Sequence, residues 1–306
     1  MEKLIVIVGP TAVGKTALSI KIAAAIDGEI VSGDSMQIYR QLDVGTAKAS
    51  MAEQALVPHH MIDIAEPTDP YSAARFVREA QTAIAAIHER GKVPILVGGT
   101  GFYVQALLGD KPLAEVDDVQ DEAFVTQWTQ IAHTQGEAVV RAALKKIDPV
   151  SEARILPGQI RRLVRALLVS DHTGKPFSDQ QPVAKRQYDA FIIGLTTDRS
   201  VLHDRINLRV DMMMTAGLLS EAQLAMTLPA ESTARKAIGY KELFPYLTGD
   251  MPLDEAVADL KTASRRYAKR QMTWFNNQFT DIHWFDLVQH PEQIADIEAQ
   301  VKGFMS

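Results

Sequence analysis

Gly9, Gly14, Lys15 and Thr16 stand in the octapeptide GPTAVGKT, residues 9–16, with the spacing G-x-x-x-x-G-K-T. Glycines at these two positions let the backbone curl with its N–H groups pointing inward. The lysine adds a mobile positive charge, and the threonine a hydroxyl suited to a Mg2+ ion. The whole segment (Gly9, Pro10, Thr11, Ala12, Val13, Gly14, Lys15 and Thr16) therefore predicts a cradle for a di- or triphosphate. The pattern does not say what the phosphate is attached to.

Two more residues have the chemistry to act beside such a cradle. Asp34 follows the run EIVSG, and Thr100 lies in GGTG, residues 98–101. Both come just after strand-like runs, and ligands of α/β sheets sit beyond the carboxyl ends of strands. Asp34 reads either as a base that takes a proton from a nucleophile or as the cap of a turn. Thr100 either projects into the same crevice or belongs to a turn before a helix.

The elements that would position these residues alternate. Residues 3–9 are a continuous apolar run ending in glycine, the pattern of a buried parallel strand. Residues 15–26 follow with Leu18, Ile22 and Ile26 at helical spacing. Strand-like runs recur at residues 29–35, 59–67, 92–103 and 188–197, with a helical period over 71–91. Such alternation predicts an α/β fold: a parallel P-loop sheet flanked by helices. The character changes between: residues 117–170 are polar and helix-rich, and 171–182 read as a turn-rich connector. The expected organisation is a core of residues 1–114 and 185–306 with a helical insertion at 115–184. Long helices are expected at 199–216, 218–228 and 254–279.

Composition narrows the chemistry. The 306 residues contain no cysteine, which excludes disulfides, thiolate zinc sites and cysteine nucleophiles. His59 and His60 are adjacent and lack the i, i+4 spacing of a helical metal site, so they read as an ordinary loop or strand edge. No apolar run reaches membrane-spanning length, and LIVIV is too short for a signal-peptide core, so a cytoplasmic location is expected. The net charge of −6 argues by itself against a nucleic-acid partner. Its distribution argues the other way. In KTASRRYAKRQMTWF, residues 261–275, Lys261, Arg265 and Lys269 share one helical ridge, and Arg266 and Arg270 the next, with no acid among them. They fit either a polyphosphate partner or a solvated face paired with acids elsewhere. Arg161, Arg162 and Arg165 form a second cluster in the insertion, and Arg235, Lys236 and Lys241 lie between the two clusters in sequence. Two such clusters suggest a groove for an RNA backbone. Tyr240 reads either as a ring for base stacking or as a packing aromatic.

At this point the chain resembles the bacterial tRNA dimethylallyltransferases. The resemblance rests on GPTAVGKT, DSMQIYRQLDVGTAK, VPHHMIDIAEPTDPYSAARF, ILVGGTGFYVQALL, AIGYKEL and RRYAKRQMTWF, in family order from residue 9 to 275. It implies a nucleotide-kinase-like P-loop core. It also implies transfer of a dimethylallyl group from dimethylallyl diphosphate to N6 of the adenosine 3′ to the anticodon, with Mg2+ near Thr16. By motif match, Asp34 becomes the general base, Thr11 to Thr16 the diphosphate cradle, Thr100 a neighbour of the reacting groups, and Arg209 a contact of the leaving diphosphate. Asp34, Ser35, Met36 and Gln37 match a tRNA-contacting segment. So do Gln159, Ile160, Arg161, Arg162 and Leu163, and the stretch from Arg265 through Lys269 and Arg270 to Met272. The partners expected are dimethylallyl diphosphate and the tRNA anticodon arm, with no membrane, and the chain acting as a monomer. The chain departs from the family at Gly158-Gln159, where an Asn-Asp pair is usual, at Leu168, where an acid is frequent, and in PLAEVDDVQDEAF, which lacks an expected arginine. The alternatives are a P-loop small-molecule or nucleotide kinase, which leaves the arginine ridges unexplained, and a non-catalytic P-loop RNA-binding module, which leaves Asp34 and Thr100 unexplained.

Overall fold

The computed structural model describes residues 1–111, 113, 121–180 and 183–306. The expected boundary between residues 114 and 115 lies outside the described residues. Among them the chain divides into two compact units: Met1–Tyr71 with Phe76–Leu108 and Arg186–Ser306, and Ser72–Arg75 with Gly109–Lys185.

The first unit is built on a parallel sheet. Its strands are β1 (Lys3–Val8), β2 (Gly28–Ser32), β3 (His59–His60), β4 (Val93–Gly98), β5 (Asp189–Leu195) and β6 (Ile282–Phe285), in the order β3-β2-β4-β1-β5-β6. β1 lies between β4 and β5, which explains why Leu4 through Val8 is unbroken aliphatic sequence: both faces are covered, and all five residues are fully buried. The helices before the second unit are α1 (Lys15–Ile26), α2 (Met51–Leu56), α3 (Ala73–Glu89) and α4 (Gly101–Leu108). In α3, Phe76, Ala80, Ile84 and Ile87 form the buried stripe that its periodicity predicts.

The second unit contains α5 (Glu122–Thr134), α6 (Glu137–Ile147), α7 (Pro149–Arg154) and α8 (Ile160–Thr173). Its own core gathers Ala132, Val140, Leu144, Leu163, Val164 and Leu167. Helix α8 runs on into the expected connector and stops at Gly174, which takes the left-handed conformation at its C-terminus.

The chain then supplies β5 and α9 (Arg199–Thr215), α10 (Leu218–Thr227), α11 (Phe244–Leu247), α12 (Leu253–Gln278) and α13 (Ile294–Met305). One sequence expectation is corrected here, and one strand is added. Residues 59–67 do not form one strand: β3 ends at His60, where Met61 and then Asp63 adopt positive φ of 63° and 55° and break the ladder. Only an isolated bridge, Tyr39 to Ala65, follows. The edge strand β6 was not anticipated, because four residues give too short an alternation to register.

Candidate active site

The parallel register brings three loops to one edge of the sheet. Val8 pairs with Gly98, Ser32 pairs with Val97, and Gly33 donates its N–H to the Val97 carbonyl at 2.7 Å. The segments after β1, β2 and β4 therefore emerge side by side, carrying Gly9–Thr16, Asp34–Gln37 and Gly99–Thr100. They surround a cavity of about 810 Å3 lined by Thr11, Lys15, Thr16, Asp34, Arg209 and Tyr267, among others.

The phosphate loop has the conformation its glycines permit. Gly9 has φ of 143°, and a Cβ there would lie 2.5 Å from the Leu195 carbonyl oxygen. Gly14 begins α1, whose first turn carries no acid and whose start has no side-chain cap. The positive end of that helix is therefore offered to the loop. Lys15 folds over it, donating from Nζ to the carbonyls of Gly9 at 3.0 Å and Pro10 at 2.7 Å.

Electrostatics in the cavity are set by burial and then by neighbours. Burial, followed by the charge of Arg209 and against the pull of Asp34, lowers the Lys15 ammonium to about 8. Burial raises the Asp34 carboxyl above its usual range, against the Met36 N–H, Lys15, the Gln37 N–H and Arg209. The Met36 N–H donates to Asp34 Oδ1 at 2.8 Å. Burial and the nearby Arg205 lower the Arg209 guanidinium, while Asp34 and Glu53 oppose them. Thr100 joins this group: its Oγ1 accepts the Ser35 N–H at 3.2 Å and lies 3.4 Å from Ser35 Oγ. The Tyr267 phenol is pushed up by burial and then by Asp34, with Thr100, Arg270 and Gln271 pulling the other way. A half-buried carboxylate thus faces two cations across a phosphate loop, an arrangement suited to taking a proton while an anion leaves.

Several sequence-nominated residues meet here and others do not. Thr11, Ala12, Gly14, Lys15, Thr16, Asp34, Ser35, Met36, Gln37, Arg209 and Arg270 all border the cavity. Val13 instead packs beneath the loop in the sheet's apolar core. Gln37 is engaged internally, accepting from Ser32 Oγ at 2.9 Å and donating to the Thr46 and Ala47 carbonyls. Tyr240 cannot stack on a base: its ring is fully buried and its hydroxyl donates to Glu221 Oε2 at 3.0 Å. Arg235 donates to the carbonyls of Met226 and Leu228 at the end of α10, and its guanidinium lies over Phe244. Arg265 reaches Asn207 and Thr262, and Lys261 pairs with Asp211, so this ridge is engaged with α9 and its own helix. Arg266, Lys269 and Arg270 are exposed.

In the second unit Arg161 and Arg162 are exposed on the first turn of α8, with Gln159 accepting from Arg162 at 3.2 Å. Ile160 packs against the helical core, and Leu163 is fully buried in it, so the Leu163 side chain has no surface to offer an RNA. The sequence does not single out Arg205, and it offers Tyr267 and Gln271 only as part of the Arg265–Met272 stretch matched to tRNA contact. Arg205 was within reach, since it stands one helical turn before Arg209 in RINLR.

Fold and site together define a P-loop α/β protein of the nucleotide-kinase-like type. The profile of the IPP transferase family matches residues 37–278, and that of isopentenyl transferase residues 2–61. The chain belongs to the IPP transferase family, as the sequence motifs imply. It is 50% identical over 307 residues to a tRNA dimethylallyltransferase of Limosilactobacillus reuteri, covering 100% of this chain and 99% of that one. It is 51% identical to one of Levilactobacillus brevis with the same coverage. Among solved structures, the tRNA isopentenylpyrophosphate transferase of Bacillus halodurans aligns with a TM-score of 0.73 at 42% identity, over 99% of this chain and 97% of that one. A eukaryotic dimethylallyltransferase acting on tRNA aligns with a TM-score of 0.82 at 30% identity, over 99% of this chain and 78% of that one.

Proposed function

We infer that the protein transfers the dimethylallyl group of dimethylallyl diphosphate to tRNA, at N6 of the adenosine 3′ to the anticodon. The observation that carries this reading is Asp34, enclosed in the same cavity as the phosphate loop and influenced by both Lys15 and Arg209. Family membership and the tRNA-acting relatives support it. A kinase would have the loop, yet the exposed cations of α12 would have no task.

The chemistry follows from the groups present. The N6 lone pair is delocalised into the adenine ring, so the amine is a weak nucleophile. As N6 bonds to the allylic carbon and the carbon–oxygen bond breaks, the N6 proton passes to Asp34 and the electron pair leaves with the diphosphate. Lys15, Arg209 and the loop N–H groups oppose the charge that develops on the departing oxygens. Burial serves this step, since a carboxylate with a raised pKa is a stronger base. The Thr100 hydroxyl, held by the Ser35 N–H, would stand beside the reacting centre.

Among the described residues no three histidine, aspartate or glutamate side chains gather to hold a metal by themselves. The Thr16 hydroxyl suits an ion that takes most of its shell from diphosphate oxygens and water, as Mg2+ does. When bound there, Mg2+ would supply further positive charge to the leaving group. Arg266, Lys269 and Arg270 are the exposed cations that α12 offers to a tRNA backbone.

One assay separates the alternatives. Labelled dimethylallyl diphosphate, undermodified tRNA and the protein are incubated with Mg2+ and without ATP. Label on the tRNA is expected. Phosphate transfer that needs ATP would point to a kinase, and tRNA retention without product to a binding module.

A further inference from the structure

Gln271 lies on the basic helix α12, next to Arg270, and yet it points inward. It is only 6% exposed. Its Oε1 accepts the N–H of Thr11 at 2.9 Å, and its Nε2 donates to the Gly99 carbonyl at 3.0 Å. One carboxamide thus bridges the phosphate loop and the turn that carries Thr100. Its orientation is fixed by its partners, since a peptide N–H only donates and a carbonyl only accepts. Glutamate lacks the donor, leucine has neither function, and asparagine is a methylene short. A Cβ at position 99 would lie 2.2 Å from Nε2, so the bridge also requires Gly99. The Thr11 N–H is spent on this bond, so within the cradle it is not a phosphate donor.

We propose that Gln271 is a positioning residue for the transfer reaction: it sets the spacing between the bound diphosphate and the Thr100–Ser35 contact next to Asp34, and fixes both to the helix that displays Lys269 and Arg270. The transfer part rests on the function inferred above, whereas the effect on diphosphate binding does not. Two loops that carry opposite ends of one reaction need a rigid tie, because small misplacements of reacting groups cost large factors in rate. The tie comes from the helix bearing the exposed cations, so a shift of that helix moves both loops together.

The test uses Gln271→Glu and Gln271→Leu in the full chain. Glutamate keeps the shape and the acceptor for Thr11. Ionised, it sets a carboxylate against the Gly99 carbonyl. Protonated, it regains a donor, and burial beside a carbonyl favours that form. The titratable and charged groups around it are Tyr267 and Arg270 on the same helix, Lys15 on the phosphate loop, Arg205 on the Ala12 carbonyl, and Asp34 and Arg209 lining the cavity. Their own titrations are divided out by comparing each variant with wild type at each pH. Near pH 8, Gln271→Glu is expected to weaken inorganic diphosphate binding and to raise KM for dimethylallyl diphosphate by about tenfold, the scale of one lost hydrogen bond. The ratio to wild type should recover as the pH is lowered to about 6, where a buried carboxyl is largely protonated. Gln271→Leu should show the deficit at both pH values, and tRNA affinity should stay within about twofold for both variants. Recovery in the same glutamate sample separates a local tie from misfolding. Wild-type behaviour of Gln271→Glu near pH 8, a deficit unchanged by pH, or an equal loss of tRNA affinity would each overturn the proposal. If wild type binds diphosphate but transfers nothing to tRNA, the inferred function fails. Glutamate-dependent, acid-restored diphosphate binding would still support the tie between the loops.

Discussion

Arg205 donates its Nε–H to the carbonyl of Ala12 at 2.9 Å, fastening α9 to the crest of the phosphate loop. Ala12 holds a positive φ of 66°, a conformation that alanine rarely adopts. The arginine thus sits at the strained point of the loop, and one turn further along the same helix Arg209 faces Asp34. We propose that the two arginines divide the work: Arg205 holds the cradle and Arg209 meets the bound diphosphate.

Arg205→Ala should therefore raise KM for dimethylallyl diphosphate by about tenfold to a hundredfold, as loss of a charge-assisted hydrogen bond does. Binding of tRNA should change little. Steady-state kinetics in each substrate, with separate tRNA titrations, would check the split. An unchanged KM would mean that the loop holds its shape without Arg205.

Asp34→Asn should cost activity and gain stability. Transfer is expected to fall by ~10²–10⁴-fold, the range for a positioned base. Burial raises the folded pKa of Asp34 above its unfolded value, so the folded state binds the proton more tightly. Its ionised form therefore costs stability at neutral pH, and that cost disappears as pH falls through the folded pKa. Asparagine carries no charge and can still accept the Met36 N–H. The variant should melt above wild type at neutral pH, with the difference shrinking in acid. Thermal denaturation across pH tests this, and a lower melting temperature at neutral pH would refute it.

The pH profile of wild type should be limited on both sides. On the acid side, rate rises as Asp34 ionises, at a pH above the ordinary carboxylate range. On the alkaline side, Lys15 in the free enzyme loses its proton near pH 8, and its attraction for diphosphate goes with it. The fall should appear in kcat/KM for the diphosphate, which reports the free enzyme. Bound diphosphate favours the ammonium form, so in kcat the fall should move to higher pH. Lys15→Arg should abolish the alkaline limb near 8, because guanidinium does not titrate there.

Much of this site is local, and for that reason it was legible. The P-loop spacing, the apolar run of β1 and the polar residue after β2 are properties of short segments, and register on a parallel sheet does the rest. Tyr240 was ambiguous because AIGYKEL has no period of its own. What buries its ring is packing from α10 and α12, with the Glu221 carboxylate supplying the hydroxyl's partner. Gln271 was hidden for the opposite reason. It stands in a run so basic that every polar residue looks solvent-facing, although Ala268, Gln271 and Phe275 mark the buried stripe at i, i+3 and i+7.

Glu221 shows how a remote pair can shape the cavity wall. Its carboxylate accepts the N–H groups of Asp43, Val44 and Gly45 at 2.8, 2.7 and 2.9 Å, besides the Tyr240 hydroxyl. Tyr240→Phe removes one of four donors and should cost about 1 kcal/mol. Tyr240→Ala adds a cavity and should cost about 3–5 kcal/mol. Chemical denaturation would measure both. If the ring stacked on a base, Tyr240→Phe would leave stability untouched and Tyr240→Ala would chiefly weaken tRNA binding.

The cations of α12 should differ in their effect on tRNA affinity according to what already holds them. Lys269 and Arg270 are exposed, whereas the Arg265 guanidinium is held by Asn207 and Thr262. A phosphate contact releases counterions, so removing one should lower the slope of log affinity against log salt by about 1. Lys269→Ala and Arg270→Ala are each expected to do so. Arg270→Ala should also disturb Tyr267, whose ring lies 5.6 Å from the guanidinium and which lines the cavity with Asp34, lowering kcat as well as affinity. Arg265→Ala should leave the slope nearly unchanged and instead lower stability through the lost contact with α9. Equal slopes for all three variants and wild type would exclude this face from tRNA binding, because a bound phosphate must report itself in the salt dependence.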